Sequence, residues 1–301
     1  MRTPWLAAAA SLLLPHFATA QPSLESLWPS TDGLRWEYQL TVVDLVSPDR
    51  NFTVPAWLQL SGTVETSGGT AQVLLGNHDV PPKAGAVPAL PPIVRAVWRA
   101  RPDLRARIVA FYGADRVAAT SSWWPLLLHD GYFMKSATSI QMWQPDWDHP
   151  TWTYLRDDLS VGAAFTHQLV PELADNVFLY GTVEANDATV ATLAGTFEHA
   201  VRMGYRIDYG WSTGIDENGT WLGRFRSETL GHVHYVPGVG PVESLEDYVP
   251  FVEVDCDTLS CPGEWTDQLG DVFSSMTLSL QSEPTAIAPA SWSEVKALYR
   301  K

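Results

Sequence analysis

The clearest signal along the chain is alternation of apolar and polar positions. From Leu34 to Val42 the even positions are Leu34, Trp36, Tyr38, Leu40 and Val42, and the odd ones are Arg35, Glu37, Gln39 and Thr41. A period of two turns one set toward a core and the other toward water, so this segment is a half-buried strand. Phe197 to Trp211 repeats the pattern in the other parity. Phe197, His199, Val201, Met203, Tyr205, Ile207, Tyr209 and Trp211 alternate with residues that include Glu198, Arg202, Arg206 and Asp208. Unbroken, that strand is about 50 Å long. Such a length belongs to a large, strongly twisted sheet or to an open barrel. A third run, Trp221 to Tyr235, sets Trp221, Phe225, Val233 and Tyr235 on one face. Arg224, Arg226, Glu228, His232 and His234 lie on the other.

Asp216-Glu217-Asn218-Gly219, between the last two runs, is a strong hairpin signal. A two-residue turn at Asn218-Gly219 pairs positions whose numbers sum to 437. That places odd apolar residues of one strand opposite even polar residues of the next, and a single inserted residue reverses the faces. A bulge or a longer loop is therefore expected around Gly210 or Gly214.

Helix is scarce. Pro91 to Tyr112 has helical spacing interrupted by Pro102, and carries a basic island of Arg95, Arg99, Arg101, Arg105 and Arg107. Pro81 to Pro92 reads as a linker or an exposed loop, and Leu126 to Trp143 as a hairpin turned at Asp130-Gly131. The expected fold is mostly β, a long twisted antiparallel sheet or open barrel with few short helices. Its expected divisions are an export signal over 1–20, an N-terminal β-rich region with one helical stretch over 21–125, an antiparallel β domain over 126–282, and a spacer with a short terminal helix over 283–301.

Composition narrows the partners. At 301 residues, 46% hydrophobic and 18% charged, the chain is neither disordered nor a helical membrane protein, and it offers no transmembrane segment. Its 34 acidic against 19 basic residues give a net charge of −15, which argues against nucleic acid and anionic membrane surfaces as partners. Arg2, the apolar run Trp5 to Leu14 and the small-x-small site Ala18-Thr19-Ala20 form an export signal with Gln21 as the mature start. The expected location is periplasmic or extracellular, with surface association as an option. Cys256 and Cys261 fit that oxidising compartment as a disulfide staple of a short loop.

Candidate chemistry is sparse. A nucleophile elbow, a P-loop, a G-x-G-x-x-G, an H-E-x-x-H and an EF-hand loop are all absent. Gly76-Asn77-His78-Asp79 and Gly231-His232-Val233-His234 resemble the G-N-H-D and G-H-x-H elements of metallophosphoesterases. That family's D-x-H and G-D-x-x-D elements are missing, so a dimetal site would lack ligands. His78, His232 and His234 remain the metal candidates, with no cofactor assigned. The 14 Trp are the compositional outlier. Trp143-Gln144-Pro145-Asp146-Trp147-Asp148-His149-Pro150-Thr151-Trp152-Thr153-Tyr154 mixes aromatics and carboxylates, as carbohydrate sites do. Trp143, Trp147, Trp152, Tyr154 and Trp211 are the candidate ligand-binding residues, and no catalytic residue is assigned.

Val190-Ala191-Thr192-Leu193-Ala194-Gly195-Thr196-Phe197-Glu198-His199-Ala200 and Tyr235-Val236-Pro237-Gly238-Val239-Gly240-Pro241-Val242 resemble the A-G-T-F and P-G-V-G-P-V segments of exported bacterial proteins of unknown function. The resemblance spans about residues 126–248. It implies a curved antiparallel β domain in or outside the cell envelope, and no catalytic residues. The expected function is that of an exported, non-catalytic β-rich protein. It would bind an amphiphile or an oligosaccharide, or meet an envelope protein. The alternative is a secreted hydrolase, metal-dependent or acting on carbohydrate.

Overall fold

The computed structural model describes residues 22–45, 51–66, 68–78, 126–127, 131–143, 150–169, 177–215, 221–253, 272 and 274–286. The export signal, the helical stretch and basic island of 91–112, the cysteine pair and the terminal helix fall outside these residues.

One short helix, α1 (Leu24–Leu27), precedes β1 (Leu34–Asp44), β2 (Phe52–Thr66), β3 (Gly69–His78), β4 (Gly131–Lys135), β5 (Ser139–Trp143) and β6 (Pro150–Arg156). Then come β7 (Ala164–Gln168), β8 (Phe178–Thr192), β9 (Gly195–Ile215), β10 (Trp221–Val236), β11 (Gly240–Glu253), β12 (Ser274–Leu280) and β13 (Thr285–Ala286). All belong to one antiparallel sheet in the order β6-β5-β4-β3-β2-β1-β12-β11-β10-β9-β8-β7, with β13 on β1. The sheet curls into a nearly closed barrel with one seam, between β6 and β7, that no ladder seals. Across that seam Thr153 Oγ1 lies 3.3 Å from His167 Nδ1. The fold is thus the mostly β class that the alternation predicts.

The parity of the strands decides what is inside. In β1 it is Trp36, Tyr38 and Leu40 that are buried, and in β9 it is Val201, Met203, Tyr205 and Ile207. The interior is filled by large side chains. Trp28, delivered by α1, has its ring centroid 4.8 Å from Tyr154, 4.9 Å from Phe133, 5.8 Å from Tyr235 and 6.2 Å from Trp36. The offset and edge-on ring contacts add to the burial term that dominates barrel stability. Three buried hydroxyls are paired: Tyr205 donates to the Tyr154 carbonyl and lies 3.0 Å from Tyr235 Oη, and Tyr38 donates to the Pro241 carbonyl at 2.8 Å. Burial pushes the phenols of Tyr38, Tyr205 and Tyr235 well above their ordinary value.

One local expectation is corrected. The β4–β5 hairpin turns at residues 136–138, and Gly131 opens β4. Ser136 makes the turn, because its Oγ accepts the N–H groups of Thr138 and Ser139 at 3.2 and 3.0 Å.

Candidate functional site

The site rests on a register correction. Past a first shift after Trp221↔Ile215, β9 and β10 pair as Thr213↔Arg224 and Trp211↔Arg226, the 437 register. Between Arg226 and Glu228 the pairing shifts, and from there on Asp208 faces Glu228. The extra residue sits at Gly210, whose φ is 68° and whose N–H donates to Asp208 Oδ1 at 2.9 Å. This is the bulge expected around Gly210. It brings like parities together. Met203 then faces Val233 and Val201 faces Tyr235 within the core, while Gly204 faces His232 and Arg202 faces His234 outside. One glycine bulge therefore gathers two arginines and two histidines on one outer face.

On that face lies an open groove of about 640 Å³ bordered by Tyr180, Glu184, Arg202, Arg206, His232 and Asp247 among others. Its charged side chains hold each other in place. Arg202 Nε lies 2.8 Å from Glu184 Oε2, and Arg206 Nη1 donates to Glu228 Oε1 at 3.2 Å. The Arg206 guanidinium stacks 4.3 Å over the Tyr180 ring. Gly204 keeps the floor low, since a Cβ there would lie 2.2 Å from Glu184 Oε1.

Beside the groove stands a tighter cluster. His232 and His234 share a face at i and i+2, with ring centroids 5.0 Å apart at 84°. Glu243, opposite His234 on β11, brings Oε2 to 2.9 Å from His234 Nδ1 and 4.0 Å from His232 Nε2. Arg202 Nη2 is 3.2 Å from His232 Nδ1. Burial, then the Arg202 charge, pulls the His232 pKa down to about 4. His234 is only 7% exposed, and its Nδ1 makes no hydrogen bond although Glu243 Oε2 lies 2.9 Å away.

A third feature is internal. Glu246 is fully buried on the inward face of β11, where Oε1 accepts the Leu126 N–H at 2.8 Å and the Ser244 hydroxyl at 3.3 Å. Oε2 has no hydrogen-bond partner, and burial pushes the carboxyl up to about 8.

The aromatic candidates lie elsewhere. Trp152 and Tyr154 sit 6.3 Å apart within the core, both almost fully buried. Trp143 ends β5 and covers Gly68 so closely that a Cβ there would lie 2.7 Å from its ring. Trp211 pairs with Arg226 through its backbone, its side chain being outside the described residues, as is Trp147. His78 is on β3, with four strands between it and β10, so its backbone is not gathered with His232 and His234. Of the metal candidates the structure joins only those two, and it adds Glu243. Turn arithmetic alone sets His234 against Val242. A second register shift, between His234 and Tyr235, brings Glu243 there instead. The acid itself, two residues past Pro241, was the available signal.

No protein-family model matches the chain, and no curated protein matches it. Two solved structures are similar in outline. One is a candidate lipoprotein from Parabacteroides distasonis, 10% identical, with a TM-score of 0.34. The other is a candidate exported protein with a YmcC-like fold from Bacteroides fragilis, also 10% identical, with a TM-score of 0.33. Each comparison covers 86% of this chain and 98% of the other.

Proposed function

We propose that this chain is an exported, non-catalytic binding protein whose outer groove takes a neutral, hydroxyl-rich ligand of the oligosaccharide class. The observation that carries this reading is the balance of charge in the groove. Two guanidiniums, Arg202 and Arg206, line it with two carboxylates, Glu184 and Asp247, while Glu228 pairs with Arg206 from outside the lining. An anion or a cation would meet as much repulsion as attraction there, whereas vicinal hydroxyls donate to carboxylates and accept from guanidiniums at once. Ion pairing and the stack on Tyr180 hold these groups before any ligand arrives, which lowers the ordering cost of binding. The barrel interior, filled by Trp28, Trp36, Trp152 and Tyr154, speaks against an amphiphile enclosed within it. Export rests on the signal read in residues 1–20.

Calorimetric titration with a panel of neutral oligosaccharides tests the proposal. The expected result is saturable binding with Kd on the order of 0.1–1 mM for at least one glycan. Arg206→Ala, at a half-buried position, should weaken it about tenfold or more, with circular dichroism confirming that the variant folds. Absence of saturable binding across the panel, with the protein folded, contradicts it.

A further inference from the structure

We propose that His232, His234 and Glu243 hold one divalent transition-metal cation, with Zn²⁺ the type case. The proposal is independent of what the groove binds, although His232 borders both.

Two imidazole nitrogens and one carboxylate oxygen form a recurrent three-ligand zinc set, one that leaves a fourth position for water or a ligand oxygen. An ion about 2.1 Å from each donor in tetrahedral geometry needs the donors about 3.4 Å apart. The two measured separations from Glu243 Oε2, 2.9 Å to His234 Nδ1 and 4.0 Å to His232 Nε2, fall on either side of that value. The ligand atoms of all three residues lie within 4.8 Å of one another, so the widest pair closes by at most about 1.4 Å to reach a common ion. The scaffold is stiff, because both histidines stand on β10 between β9 and β11 and the acid stands on β11 directly across the ladder from His234.

A second observation points to an occupant. His234 is more than nine-tenths buried, faces Glu243, and has an Nδ1 without a hydrogen bond. Buried polar atoms rarely stay unsatisfied, and a cation at this position would engage both that nitrogen and the adjacent carboxylate.

Arg202 adds a constraint that makes the proposal more specific. A guanidinium only donates, so its contact with His232 Nδ1 leaves the imidazole proton on Nε2. Ligation through Nε2 requires the proton on Nδ1, and Arg202 must then turn wholly toward Glu184, which its Nε already approaches at 2.8 Å. Metal binding and the Arg202–His232 contact are therefore mutually exclusive. Replacing Arg202 by Gln, whose carbonyl accepts from Nδ1–H, should strengthen the site rather than weaken it.

The test uses the full chain, stripped with a chelator and titrated with Co²⁺ and then Zn²⁺. The expected result is one equivalent of Co²⁺ with the visible bands of a four-coordinate ion, displaced by one equivalent of Zn²⁺. His234→Ala and Glu243→Gln should each reduce Zn²⁺ affinity by more than the roughly 10–100-fold that loss of a supporting partner costs. Arg202→Gln should raise it several-fold, and His199→Ala, at an exposed histidine paired with Asp187, should leave it unchanged. Circular dichroism confirms that each variant folds. Should His234→Ala not fold, His232→Ala and the near-isosteric Glu243→Gln carry the same expectation. Binding of less than about 0.1 equivalent overturns the proposal. So does Zn²⁺ affinity that is unchanged in folded His234→Ala or Glu243→Gln, which would assign the pair as a plain His–Glu contact.

Discussion

Trp36 donates its indole N–H to the carbonyl of Val239 at 2.7 Å, joining the first strand of the barrel to the turn between β10 and β11. Both ends of this contact are specified locally. Trp36 is an inward position of an alternating strand, and the Pro237-Gly238-Val239-Gly240 turn depends on positive φ at Gly238 and Gly240, 80° and 101°. The contact fixes the end of the hairpin that carries His232, His234 and Glu243.

Gly240→Ala should therefore be costly. Its φ disfavours any Cβ, and that Cβ would stand 2.9 Å from Trp36 Nε1 and 3.1–3.2 Å from the ring carbons. A loss of about 2–4 kcal/mol is expected in urea unfolding, combining backbone strain with overpacking. A loss below about 0.5 kcal/mol would mean the turn relaxes freely and does not anchor the hairpin.

Glu246 should make stability depend on pH. Its carboxyl is raised to about 8 in the fold, against 4.5 for the ordinary group. A raised carboxyl binds its proton more tightly folded than unfolded. Its stabilising contribution is complete below about 4.5 and is lost as pH climbs through about 8. Tyr209, which faces it, is held above its ordinary value by burial and stays neutral in that range. Between pH 5 and pH 8 the chain should lose roughly 2–4 kcal/mol through this group. Glu246→Gln keeps an oxygen for the Leu126 N–H and carries no charge, so its stability should vary less over the same interval. Parallel pH profiles of the two proteins by urea unfolding would argue against a buried, proton-binding carboxyl.

Trp152 offers a test of where the aromatic excess belongs. Its burial beside Tyr154 predicts that Trp152→Ala costs about 3–5 kcal/mol, the range for deleting a large core ring. A variant of near-native stability that loses ligand affinity would return Trp152 to the binding surface.

Much of the fold was legible because a buried face enforces a period of two. The parities of β1 and β9 carried through to Trp36, Tyr38, Met203 and Tyr205. The Gly210 bulge was legible for the same reason, since a two-residue turn expected at Asn218-Gly219 conflicts with the two apolar faces unless a bulge or a longer loop intervenes, and the pairing shifts beside Gly210. What escaped depends on contacts between distant parts of the chain. Trp152 and Tyr154 read as site residues beside Asp146 and Asp148, but Trp28 from the other end of the chain packs on Tyr154 and closes the core over it. The β4–β5 turn was set by one serine hydroxyl, a weaker sign than Asp-Gly. Glu243 required knowledge of a second bulge, and the groove required knowing that β8, β9, β10 and β11 lie side by side.

The central claim is that a neutral glycan lies in the outer groove, and mapping the site by nuclear magnetic resonance tests it most directly. In a titration of the labelled chain with the best-binding oligosaccharide, amide and side-chain signals of Tyr180, Thr182, Arg202, Arg206 and His232 should shift together and saturate with one Kd, while those of Trp36, Tyr154 and Leu278 stay in place. Shifts centred on the barrel interior or on the β6–β7 seam, with the groove signals unmoved, would contradict it.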